Sequence, residues 1–120
     1  MNSTDVSTAP STEVPEVGTI DMKLEVVTLP VSDVDRAKSF YQSLGWRVDA
    51  DFDLGEGRRV VQLTPTHSEC SIAFGSGLTK AQPGSAEGLE LVVSDIEAAR
   101  DDLISRGVEV GDFFHFGPDG

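Results

Sequence analysis

Apolar and polar residues alternate along residues 23–31. Val27, Leu29 and Val31 share one face, and Val26, Thr28 and Pro30 the other, which predicts a strand. The period then changes. Val34, Ala37, Phe40, Tyr41 and Leu44 recur at helical spacing, with Ser32 or Asp33 as the N-cap and Gly45 in the left-handed closing position. Alternation returns at 46–52, where Trp46, Val48, Ala50 and Phe52 interleave with Arg47, Asp49 and Asp51. Two more strands are predicted at 58–64 and 69–74, separated by turn-forming residues.

Much of this pattern recurs 62 residues later. Leu29 falls on Leu91, Ser32 on Ser94, Asp33 on Asp95, Ala37 on Ala99 and Gly45 on Gly107. A strand is therefore predicted at 88–93, a helix at 95–106 and a strand at 108–116. The organisation reads as an N-terminal tail (1–21), a first β-α-β-β-β module (22–75), a linker (76–87) and a second β-α-β module (88–120). Residues 22–120 form one domain, because each half alone is too small to bury a core. The repeat leads one to expect two further strands in the second module. Their absence implies either a truncated chain or a partner covering an open edge. The fold class expected is α+β: a curved mixed sheet around a cavity, helices on its outer face.

Composition narrows the function classes. The tail is rich in Ser, Thr, Pro and acidic residues and is expected to be disordered. The 120 residues carry a net charge of -12. Such acidity argues against nucleic-acid and anionic-membrane partners. No apolar run is long enough to cross a bilayer and no signal peptide is evident. The single Cys70 suits a reducing cytoplasm.

Val31-Ser32-Asp33-Val34-Asp35-Arg36-Ala37, followed by Phe40-Tyr41 and Leu44-Gly45, resembles the vicinal oxygen chelate superfamily. That group includes glyoxalases, bleomycin-resistance proteins and extradiol dioxygenases. Leu91-Val92-Val93-Ser94-Asp95-Ile96-Glu97-Ala98-Ala99 carries the likeness in the second half. The resemblance implies paired modules around a cavity, often dimeric. In catalytic members it implies a divalent metal held by a His, Gln or Glu on the first strand of each module and by a last-strand Glu. The first-strand ligand usually stands seven residues before the helix-start Asp. Here those positions are Val26 and Gly88, which have no ligating side chain.

The resulting expectation is a small, partly apolar ligand bound without the family metal, by a homodimer. Thr28, Gln62, Glu90 and His115 are its candidate polar contacts, and Trp46 and Phe52 its apolar walls. Glu90 and His115 are also the candidate catalytic bases, against the alternative that each is a solvated surface residue. Thr28 is the repeat counterpart of Glu90 and is equally explained by strand propensity. Phe74 and Phe113 are further candidate walls, with core packing as the alternative. His67, with Glu69 and Cys70, fits no common zinc spacing. A metal-dependent lyase or isomerase using Zn, Ni or Mn, with ligands from unmatched residues or a partner, is the alternative function. An interaction module without a pocket is the third reading.

Overall fold

A computed structural model of the chain describes residues 15–114. Six elements are present among them: β1 (Val26–Thr28), α1 (Val34–Ser43), β2 (Arg47–Gly55), β3 (Arg58–Thr64), β4 (Ser71–Ser76) and α2 (Ile96–Ser105). The strands form one mixed sheet in the order β1-β4-β3-β2. β1 lies parallel to β4, whereas β4 with β3 and β3 with β2 are antiparallel.

The helix ends repeat at the level of single hydrogen bonds. Asp33 accepts from the Arg36 amide and Asp95 from the Ala98 amide, each at 3.0 Å. These caps satisfy donors that the first helical turn leaves free. At the other end Gly45 (φ +89°) and Gly107 (φ +90°) turn the chain through the left-handed region. Trp46 N–H then donates to Tyr41 O, and Val108 N–H to Leu103 O, in the same closing motif.

One sheet face is closed by α1. Leu29, Val61, Leu63, Ile72 and Phe74 form the core, and Val34, Ala37 and Tyr41 of the helix pack on it with Trp46 and Val48. An ionic cluster holds the far end of that layer. Asp51 accepts from Lys38 at 2.8 Å and from Arg59, while Arg59 also reaches Asp35 at 2.7 Å. The guanidinium of Arg59, and then the Lys38 ammonium, hold the Asp51 carboxyl well below the usual carboxylate range.

The second half differs from the sequence expectation. Residues 88–93 and 108–114 join no ladder, although α2 between them is fully formed. In the first module β1 is held by β4 and β2 by β3. The second module offers no counterpart of β3 or β4 among the described residues, so its flanking segments have nothing to pair with. Nor does α2 lie on a sheet of its own. It meets the end of α1, where Arg106 Nη1 donates to the Ser43 carbonyl at 3.0 Å. Among the described residues, no helix is long and apolar enough to cross a membrane.

Candidate functional site

The face of the sheet opposite α1 is set by strand pairing. Val61 pairs with Phe74 and Leu63 with Ile72 on the helix side, so the residues between them point the other way. Three rungs result. Thr28, Ala73, Gln62 and Ala50 cross the middle. Gly75, Val60 and Phe52 lie on one side of that row. Val26, Ser71, Thr64 and Arg47 lie on the other.

Ala73 and Gly75 on β4 and Ala50 on the edge strand β2 are small, while Gln62 and Val60 stand between them on β3. Gly75 is required by close packing, because a Cβ there would come within 1.8 Å of the Arg59 carbonyl oxygen. Phe52 is 58% exposed and Val26 41% exposed, so the margins of this floor are open to solvent in the single chain, whereas Ala73, Ser71 and Thr64 are buried. Two shallow grooves lie elsewhere, beside the Pro30–Ser32 turn. One of about 330 Å³ runs along Asp33, Arg36, Phe40 and Tyr41. The other, about 270 Å³, runs along Gly75, Thr79 and Pro83. Neither is lined by Thr28, Phe52 or Gln62.

Thr28, Gln62 and Phe52 are thus brought to one face. Trp46 is not. It stacks on Tyr41 at 5.0 Å between ring centroids and packs against the helix-covered core. The cause is an irregularity between Val48 and Ala50. The extra residue, Asp49, reverses strand parity, so Trp46 and Phe52 face opposite ways despite their even spacing. Glu90 lies exposed in the unpaired 88–93 segment, and its carboxylate makes no hydrogen bond or ion pair among the described residues. His115 lies outside the described residues. Phe74 is fully buried in the core, and Phe113 stacks under the Arg100 guanidinium at 5.3 Å. His67 occupies an exposed turn at φ +64°.

The same bulge assembles a polar chain that sequence reading misses. Asp49 accepts a hydrogen bond from the Thr64 hydroxyl, and Thr64 lies 2.7 Å from the Ser71 hydroxyl. Thr64 and Ser71 are both buried. The other Asp49 oxygen accepts from Arg47 Nε at 2.5 Å. Arg47, and then Thr64, lower the Asp49 carboxyl below its ordinary range. Alternation alone places Thr64 beside Gln62, but the β3–β4 register and the bulge are needed to add Ser71 and Asp49.

The chain belongs to the Glyoxalase/Bleomycin resistance protein/Dioxygenase superfamily, whose family profile matches residues 23–113. Solved structures agree. A glyoxalase/bleomycin resistance protein from Streptomyces sp. CB03234 is 32% identical, with 80% of this chain and 83% of that one covered at a TM-score of 0.66. TnmS3, an antibiotic binding protein from the same organism, is 30% identical over 84% and 83% of the two chains, at a TM-score of 0.69. A superfamily member from Sphaerobacter thermophilus DSM 20745 is 28% identical over 83% of each, at 0.68. No functionally curated protein matches the chain.

Among the described residues, the two first-strand positions do not fit the divalent metal that the superfamily implies. Val26 faces the open floor from β1, where a ligand would be expected, with an aliphatic side chain. Gly88, its counterpart, has no side chain. No cluster of three or more His, Cys, Asp or Glu side chains suited to a metal ion occurs among the described residues.

Proposed function

We propose that the protein binds a small, flat, partly apolar molecule on the open face of the sheet, without the superfamily metal. The observation that carries this reading is the convergence of Thr28, Gln62 and exposed Phe52 on one floor, with small residues at Ala73, Gly75 and Ala50 between them. An aromatic ring at the margin supplies a stacking surface, and Thr28 and Gln62 supply directional hydrogen bonds. Likeness to an antibiotic binding protein supports the binding of a small molecule.

Dimerisation belongs to this reading. A second copy would roof the open face and cover exposed Leu89, Leu91, Val92 and Val93. Sedimentation at micromolar concentration is expected to give a dimer; a stable monomer contradicts that part.

Fluorescence titration with acridine, a flat neutral probe, tests the binding face. Saturable binding by the intact chain, weakened roughly tenfold by Phe52→Ala, is the expected result. Binding unchanged by Phe52→Ala rejects the site. Calorimetric titration with Zn, Ni or Mn is expected to show no tight stoichiometric binding, and its appearance would favour a metal-dependent lyase or isomerase.

A further inference from the structure

We infer that Asp49 is a cation-recognition point at the edge of the binding floor, and that Arg47 occupies it as an internal stand-in for the ligand. This rests on the binding face proposed above and specifies the ligand class: a flat molecule bearing an ammonium or guanidinium group.

Proton counting fixes the direction of this polar chain. An ionised carboxylate only accepts hydrogen bonds, so the single Thr64 hydroxyl proton is spent on Asp49. In the 2.7 Å contact between Thr64 and Ser71 the proton must then come from Ser71. The chain runs one way, from Ser71 to Thr64 to Asp49. Two buried hydroxyls therefore fix one carboxylate oxygen from behind, which preorganises the group.

The other oxygen is held differently. Its partner, Arg47, stands two residues away on the same strand, and its side chain is 70% exposed. Exposed ion pairs of this kind contribute little and exchange readily. The Asp49 side chain itself is only 25% exposed. A preset carboxylate facing a loosely held cation can swap that cation for a ligand's at small cost. The position lies next to the Gln62 rung, within reach of a molecule seated on Phe52 and Gln62. The net charge of -12 favours approach of a cation.

The test compares aminoacridine, cationic at neutral pH, with neutral acridine of the same ring shape. The intact chain is expected to bind aminoacridine more tightly. Asp49→Asn should weaken aminoacridine about tenfold or more while changing acridine less than about twofold. Arg47→Gln, an exposed change that leaves the core untouched, should tighten aminoacridine about two- to fivefold by removing the competitor. Equal affinity for the two probes, or aminoacridine affinity indifferent to both substitutions, overturns the inference while leaving the binding face standing. Failure of both probes to bind overturns the binding face and this inference together. If Asp49→Asn does not fold, the Arg47→Gln result decides alone.

Discussion

The two faces of the sheet come from the same four strands and differ in what covers them. On one side Val61, Leu63 and Phe74 are wholly buried beneath α1. On the other, Phe52 stands 58% exposed above a row of small residues. On the proposed reading, the difference teaches that stability and recognition are separated in this chain by strand parity. Side chains pointing one way hold the domain together, and their immediate neighbours are left free to meet a ligand.

Substitutions on each face sharpen that contrast. Phe74→Ala should be the most damaging, at about 3–5 kcal/mol, because it empties the centre of the core. Chemical denaturation would show this as a fall in midpoint. Gly75→Ala follows. The new Cβ meets the Arg59 carbonyl, so the β3–β4 pairing must shift, at a cost of about 1–3 kcal/mol. Asp33→Ala removes the cap of the core-packed helix and should cost about 1 kcal/mol. The equivalent Asp95→Ala should matter less to the global transition, since α2 does not pack on the sheet.

Acid sensitivity gives a smaller effect. The Asp49 and Asp51 carboxyls are lowered by their partners in the fold. Their stabilisation is present above the ordinary carboxylate value of 3.8 and is lost as pH falls through the lowered folded values. Asp51→Asn should lower stability at neutral pH, where the carboxylate is paired, and so flatten the acid limb of a stability–pH curve, with the two proteins converging as pH falls. Phe52→Ala should change stability least, within about 0.5 kcal/mol, while reducing probe binding. A large stability loss at Phe52 would erase the distinction between the faces.

Much of the fold is legible in the residues. The 62-residue repeat appears in the structure as matching caps at Asp33 and Asp95 and matching turns at Gly45 and Gly107. These are local signals, formed within a few residues. Strands depend on partners, and there the reading diverges: 88–93 has the pattern of β1 without a β4 to lie against. The facing of the candidate residues was legible to the same degree. Alternation puts Thr28 and Gln62 on one face because β1 and β3 are regular at those positions. It fails at Trp46, where one bulged residue, Asp49, turns the aromatic into the core and exposes itself to Thr64. Nothing in the composition of 46–52 announces that insertion.

Amide shift mapping during acridine titration addresses the binding face directly. The account predicts that the largest changes fall on Thr28, Ala50, Phe52, Gln62 and Ala73, with Tyr41 and Trp46 little altered. Changes concentrated instead along Asp33, Arg36 and Phe40, beside the outer groove, would contradict it.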